Sequence, residues 1–115
     1  MRIKLKGKNE FEAFKTIAKI IQIELIGRET PTDLFKLKSI EKLIMKLMQI
    51  ALRHGQFGKK ISVNIDELQC IVLYEMLQEI PLYVYEMQLA NCIIAQIEQQ
   101  YNNERALRMS SINRT

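Results

Sequence analysis

The sequence predicts a mainly α-helical domain with a small β element (α+β), with four helices and a two-stranded sheet in the order β-α-α-β-α-α. Apolar residues recur at every third or fourth position over long stretches, which is typical of amphipathic helices. Two short stretches alternate polar and apolar residues, as half-buried strands do. Hydrophobic residues make up 48% and charged residues 26% of the 115 residues, which excludes a disordered chain. We expect residues 1–108 to form a single globular domain and residues 109–115 a flexible C-terminal tail.

The first strand and the first helix are predicted near the N-terminus. Residues 2–6 alternate basic and apolar side chains, which predicts a strand with one buried and one solvated face. The helical period then runs through residues 10–26, with Asn9 as the expected N-cap and Gly27 as the expected stop. Residues 19–26 also contain a strictly alternating segment, so a strand is the alternative there.

The second helix has the strongest start signal in the chain. Thr30 can cap it, Pro31 suits the first helical position, and a helical apolar pattern extends over residues 31–54. Gly55 is the expected stop. Residues 59–65 then alternate again and predict the second strand.

The third and fourth helices follow directly. Asp66 and Gln69 resemble a capping box before a helix over residues 68–80, which is apolar on most sides and is therefore expected to be buried. Pro81 ends this helix. A fourth helix is expected over residues 82–107, with one long apolar stripe.

Charge is distributed unevenly between the two halves of the chain. Residues 1–60 carry 14 Lys and Arg against 6 Asp and Glu, whereas residues 61–115 carry 3 against 7. This asymmetry permits a polyanion-binding face, attraction between complementary faces of different copies, or neutralisation across one fold. The candidate phosphate contacts of a nucleic-acid-binding protein are Lys36, Lys38, Lys42, Lys46, Arg53, Lys59 and Lys60.

One short loop motif bears on nucleic-acid binding. Gly55 and Gly58 form a GxxG spacing that is similar to the loop with which KH domains clamp the RNA backbone. The segment after this loop alternates like a strand, so no helix N-terminus is placed to bind phosphate. A tight turn between the second helix and the second strand is the preferred interpretation.

The sequence contains no pattern that indicates catalysis. His54 is the single histidine, and no nucleophile elbow, zinc-protease, EF-hand or phosphate-loop motif is present. Glu75 and Glu79 lie four residues apart, a spacing that is more typical of a solvated helix stripe than of an acid–base pair. We therefore expect no enzymatic activity, no catalytic residue, no metal site and no cofactor.

The cysteines and the apolar segments indicate where in the cell the protein is expected. Cys70 and Cys92 lie in apolar stretches without a CxxC motif and are expected to be buried, reduced thiols of a cytoplasmic protein. The longest apolar run, at residues 70–74, is too short to span a bilayer, so no membrane association is expected. No apolar segment typical of a signal peptide follows Met1.

The last two helices carry more apolar residues than one core-facing stripe requires, and several are tyrosines, which are enriched at interfaces. The sequence therefore predicts a non-enzymatic interaction or structural module that forms a homo-oligomer through its C-terminal helices, with an acidic protein surface as a further possible partner of its basic half. The alternative is a nucleic-acid-binding protein that uses the basic face of residues 36–60. The predicted oligomer interface comprises Tyr83, Val84, Met87, Ala90 and Ile94.

Overall fold

The computed structural model describes residues 1–53 and 60–113. Its elements are β1 (Arg2–Leu5), α1 (Lys8–Ile26), α2 (Pro31–Arg53), β2 (Ile61–Asn64), α3 (Glu67–Met76) and α4 (Val84–Asn113). The predicted mainly α-helical architecture with a small sheet, and the order β-α-α-β-α-α, are confirmed.

The two strands pair with each other in an antiparallel sheet. Ile3 lies opposite Val63 and Leu5 lies opposite Ile61, and all four side chains are buried. The alternate residues of both strands point to solvent. Because side chains alternate between the two faces of a strand, this register directs the whole apolar face of the sheet into the core that the helices form.

The first helix begins earlier than the sequence predicts. Gly7 precedes it with a φ of 86°, a conformation that glycine adopts without steric cost, and the Phe11 N–H donates to the Gly7 carbonyl over 3.2 Å. The predicted Asn9 cap is wrong, because Asn9 already lies inside the helix. Instead, the Glu10 carboxylate accepts from the Lys6 backbone N–H at 2.9 Å and holds the turn before the helix.

The segment with two possible structures, residues 19–26, is helical. Ile21 and Leu25 are fully buried, whereas Ile23 between them is 70% exposed. In a strand all three would share one face, so their different burial follows from the helical period. Gly27 follows the helix as expected, but with a φ of −74°, so this helix end does not use the left-handed conformation of a typical C′ glycine.

The second helix starts at the predicted cap. The Asp33 N–H donates to the Thr30 hydroxyl at 3.1 Å, and that hydroxyl donates to the Asp33 carboxylate at 2.6 Å. The buried apolar side chains of α2, Ile40, Leu43 and Leu47, are three and four residues apart and face α1 and α3, and Ser39 beside them is also buried. The predicted residues His54, Gly55 and Gly58 lie outside the described residues.

A complete capping box begins α3. The Gln69 backbone N–H donates to the Asp66 carboxylate at 2.7 Å, and the Asp66 backbone N–H donates to the Gln69 side chain at 3.0 Å. Gln69 is itself buried, and its amide also donates to the Ser39 carbonyl of α2 at 3.4 Å. The cap predicted at Asp66 is therefore confirmed, and it also links α3 to α2.

Replacing Asp66 by alanine should lower the free energy of unfolding by about 0.5–2 kcal/mol, because the first turn of α3 loses its acceptor. Urea titration followed by far-ultraviolet circular dichroism measures this loss. Asp66→Asn is the matched control and should remain within about 0.5 kcal/mol of the wild type, because asparagine caps helices as well as aspartate does. An alanine variant as stable as the wild type would contradict this role of Asp66.

The third helix is shorter and less buried than predicted. It ends at Met76, and three turn residues follow before Ile80. Pro81 disfavours helical conformation at Ile80, the residue before it. The expectation that this helix, apolar on most sides, is buried is wrong for one side of α3, because Leu68 and Ile71 are exposed. One face of α3 packs on α2, while α4 covers only part of the opposite side.

The fourth helix contacts the core through only part of its length. Its buried side chains lie between residues 89 and 97, and they are Leu89, Ala90, Ile93 and Ile97. Every described side chain from Glu98 to Ile112 is exposed. The helix continues to Asn113, beyond its predicted end at Leu107, so residues 109–113 of the predicted tail are helical.

Candidate interaction surfaces

Three of the five predicted interface residues form an exposed apolar patch at the start of α4. Tyr83 is 85% exposed, Val84 is 74% exposed, and half of Met87 is accessible. The Met87 N–H donates to the Tyr83 carbonyl at 2.8 Å, which places these two residues one helical turn apart on the same flank.

The other two predicted interface residues lie closer to the core. Ala90 is only 2% exposed and is part of the chain's own core, so it is not available for contact with another molecule. Ile94 is half-buried and packs against that core. The sequence pattern predicts both at the interface because they lie off the main apolar stripe of α4, but the buried stripe of the structure is wider than that pattern suggests.

A groove of about 710 Å³ lies between α3 and α4, next to the ends of the two strands. Its apolar floor is formed by Ile65, Cys70, Ile71, Tyr74, Ile97 and Tyr101. Sequence reasoning missed this groove, because its two sides come from two different helices, and no local pattern specifies how those helices pack. The one available signal was the number of apolar residues on α3.

Carboxylates surround this apolar floor. Those that line the groove are Asp66, Glu67, Glu75, Glu98 and Glu104. Glu75 accepts from Lys36 of α2 at 2.7 Å, and among the described residues none of the other four forms an ion pair. Even with the Met1 amino group counted as a positive charge at the groove, three of the five negative charges remain uncompensated.

A tyrosine links the two sides of the groove. The Tyr74 hydroxyl of α3 donates to the Glu98 carboxylate of α4 at 3.2 Å. This hydrogen bond, together with the negative charge of Glu98, raises the pKa of Tyr74 above its usual value. The hydrogen bond thus connects α3 and α4 across the groove.

The predicted basic residues divide into two groups. Lys36 pairs with Glu75, and the Lys46 ammonium donates to the Asn64 carbonyl at 2.6 Å, so both are used within the chain. Four others are exposed and form no ion pair with any described residue, namely Lys38, Lys42, Arg53 and Lys60. Lys59 lies outside the described residues. The basic half of the chain therefore retains free positive charge at the surface.

Two ion pairs link the basic N-terminal half of the chain to its acidic C-terminal half. Arg28, which follows α1, lies 3.1 Å from Glu79, and Lys36 lies 2.7 Å from Glu75. These contacts neutralise two acidic residues of the C-terminal half within the same fold. Because exposed pairs contribute only about 0–1 kcal/mol each, they explain little of the stability.

The outer face of α2 is both apolar and basic. Four of its five large exposed apolar residues lie on the side opposite the buried face, namely Leu34, Met45, Met48 and Leu52; the fifth is Phe35. The four are separated by 11, 3 and 4 residues, which places them in one stripe along the helix. Lys38 lies in the same stripe and Lys42 beside it.

The two cysteines are free, and neither is fully buried. Cys70 is half-buried in the groove, where partial burial raises the pKa of its thiol. The prediction that Cys92 is buried is wrong, because it lies on the exposed side of α4.

Two further observations limit the chemistry of these surfaces. Within the part of the chain that the structure describes, no three His, Cys, Asp or Glu side chains lie close enough to share a metal ion. No helix in residues 1–53 or 60–113 combines the length and apolar character that crossing a bilayer requires.

Comparisons with protein-family models, with curated proteins and with solved structures returned no match for this chain.

Proposed function

We propose that the protein is a non-enzymatic interaction module that self-associates through its C-terminal helices, α3 and α4. The observation that carries this proposal is the amount of exposed apolar surface on these two helices. The groove floor and the patch at the start of α4 together leave Ile71, Tyr83, Val84, Met87 and Tyr101 exposed, and Leu68 of α3 is exposed outside the groove. Contiguous apolar surface of this kind is characteristic of binding surfaces.

The physical basis is the hydrophobic effect. Removing apolar surface from water yields about 25 cal/mol per Å², and tyrosine and methionine are enriched at the centre of protein interfaces. Tyr83, Met87, Ile94 and Tyr101 are separated by 4, 7 and 7 residues, so they follow one flank of α4. That flank borders the groove, because Tyr101 also lines it. A second molecule that packs against α4 would cover both surfaces at once.

Sedimentation at protein concentrations from about 1 to 100 µM tests this proposal, a range that covers micromolar dissociation constants. We expect the average mass to rise with concentration. The double variant Tyr83→Ser/Met87→Ser should weaken association by at least about tenfold, since central aromatic residues dominate interface energies. Ile23→Ser, at an equally exposed apolar position on α1, is the control and should associate like the wild type.

Association would have to be measured at low and at high salt, because charge repulsion and apolar contact respond oppositely to ionic strength. A wild-type protein that stays monomeric at every concentration and at both salt levels contradicts the proposal. Equal effects of the α4 double variant and the α1 control would contradict the assignment to the C-terminal helices.

A cytoplasmic location belongs to this proposal. Its support is the state of the two cysteines, which are free and accessible rather than paired in a disulfide. Accessible free thiols are typical of proteins in a reducing compartment.

A second candidate function, nucleic-acid binding, is favoured by one observation. Lys38, Lys42, Arg53 and Lys60 are exposed without an ion-pair partner among the described residues. Phosphate contacts by these side chains would release counterions, so affinity should fall steeply with salt. A mobility-shift assay with duplex DNA and with RNA at about 50 mM salt tests it. Retention that Lys38→Glu/Lys42→Glu abolishes would support this function, and absence of retention at that salt would contradict it.

A further inference from the structure

We propose that the groove between α3 and α4 binds the outer face of α2 from a second copy of the chain, so that copies assemble head to tail. This inference rests on the proposed self-association and names the two surfaces that meet. It follows from the charge of the groove, from the charge and apolar pattern of α2, and from the lengths of the two surfaces.

The charge of the groove excludes a symmetric contact of groove with groove. Such an arrangement would bring two sets of carboxylates together, with at least three uncompensated negative charges on each side. Like charges brought together at an interface oppose association, and the more so as the apolar floor loses its water. The occupant of the groove must therefore be apolar along one side and positively charged at its edges.

The outer face of α2 has this composition. Its apolar stripe from Leu34 to Leu52 contains two methionines, whose flexible side chains adapt to irregular surfaces. Lys38, Lys42 and Arg53 are exposed on or beside the stripe and outnumber Glu41 there. This positive charge complements the groove carboxylates Glu67, Glu98 and Glu104, none of which forms an ion pair with a described residue.

The dimensions of the two surfaces agree. Leu34 and Leu52 are 18 residues apart on α2, and Tyr83 and Tyr101 are 18 residues apart along the flank of α4. At a rise of 1.5 Å per residue, each stripe is about 27 Å long. One face of α2 can therefore cover the groove and the apolar patch at the start of α4 together.

The contact has to form between copies. Within one chain, the buried face of α2 packs on α1 and α3, and its outer stripe lies on the opposite side. The outer face of α2 therefore cannot reach the groove of its own molecule. Because the two surfaces differ, each copy retains one unoccupied surface after the first contact, and assembly continues into a closed ring or an open chain.

A charge-exchange experiment tests this inference. Lys38→Glu/Lys42→Glu reverses the charge of the α2 face, and Glu98→Lys/Glu104→Lys reverses the charge of the groove. Each double variant alone should associate at least about tenfold more weakly than the wild type, because like charges then face each other. An equimolar mixture should recover association, since the glutamates of one variant meet the lysines of the other. Native mass spectrometry of the mixture should show assemblies that contain equal numbers of the two variants.

The outcomes separate this inference from the proposed function. A wild-type protein that is always monomeric contradicts both. A protein that assembles but responds to neither double variant retains the proposed function and overturns the head-to-tail contact. Loss of assembly in only one of the two double variants also overturns it, and so does a mixture that does not recover association. In those cases the groove and the outer face of α2 do not bind each other, and the surface that matters contacts a different partner.

A second measurement covers the case in which a reversed charge disturbs folding. Cys70 lies in the groove, whereas Cys92 lies outside it on the same helix pair. The rate at which iodoacetamide alkylates Cys70 should fall at least about fivefold when the wild-type concentration is raised from one at which the protein is monomeric to one at which it is assembled. The alkylation rate of Cys92 should be the same at both concentrations. Equal rates for Cys70 at both concentrations would overturn the inference.

Discussion

Replacing Phe14 by alanine is expected to lower the free energy of unfolding by about 3–5 kcal/mol, the largest effect of any substitution considered for this protein. Phe14 is fully buried on α1, in the core that both strands and all four helices line. The loss combines the lost transfer of the ring from water with the cavity that its removal leaves. A domain of this size is commonly stable by only 5–15 kcal/mol, so this loss is a large part of the total.

Urea titration followed by far-ultraviolet circular dichroism measures the effect of Phe14→Ala. The control is Ile23→Ala, which removes apolar side-chain atoms from the same helix at an exposed position and should change stability by no more than about 0.5 kcal/mol. Equal effects of the two substitutions would contradict the helical assignment of residues 19–26, because a strand would place Ile23 on the same face as its buried neighbours.

Replacing Ile93 by alanine is expected to lower the free energy of unfolding by about 2–5 kcal/mol. Ile93 is fully buried near the centre of the short segment through which α4 contacts α1 and α3. Because only residues 89–97 of α4 supply buried side chains, little other packing compensates for the loss. The variant should still unfold in one transition, as expected if α4 belongs to the same cooperative unit as the sheet and the other helices.

Thermal unfolding and urea titration with two probes, tyrosine fluorescence and circular dichroism, test the expectation for Ile93. Leu107→Ala is the matched control on the same helix, since Leu107 is 72% exposed and its loss should change stability by no more than about 0.5 kcal/mol. An early separate transition of α4 in the Ile93 variant, with the rest of the molecule as stable as before, would show that α4 is not part of the common cooperative unit.

The self-association tests and the stability tests are independent of one another. Tyr83 and Met87 are exposed, so their substitution should leave the monomer's stability nearly unchanged while it weakens association. Substitution of Phe14 or Ile93 should instead lower the stability of the monomer, because both side chains are buried in its core. Measuring both association and the free energy of unfolding for all these variants therefore distinguishes residues of the binding surface from residues of the core.

Local signals in the chain predicted most of the secondary structure correctly. The caps at Thr30 and Asp66 depend on hydrogen bonds between residues three positions apart, so a short window of sequence contains both partners. The strands alternate at period two and the helices repeat at about 3.6 residues, and each period directs the same side chains to the core wherever the element lies. The Asn9 cap failed because Gly7 provided a competing local start to the helix.

The candidate site could be predicted only in part. The sequence predicted exposed apolar residues on the C-terminal helices, because these helices contain more apolar residues than one core-facing stripe requires. Ala90 could not be assigned correctly, since its burial depends on how close α4 approaches α1 and α3. Lys36 and Lys46 likewise met partners from elements far away in the chain, and no spacing along α2 indicates which lysines remain free.

Periodicity and capping chemistry are local properties, and they were sufficient for the order of the elements and for the apolar face of most of them. The acidic groove, the free basic face of α2 and the exposed flank of α4 arise from the angles and separations at which the helices pack. Those depend on contacts between distant parts of the chain, such as Tyr74 with the Glu98 carboxylate and the Gln69 side chain with the Ser39 backbone carbonyl. No local pattern in the sequence specifies which residues form such contacts.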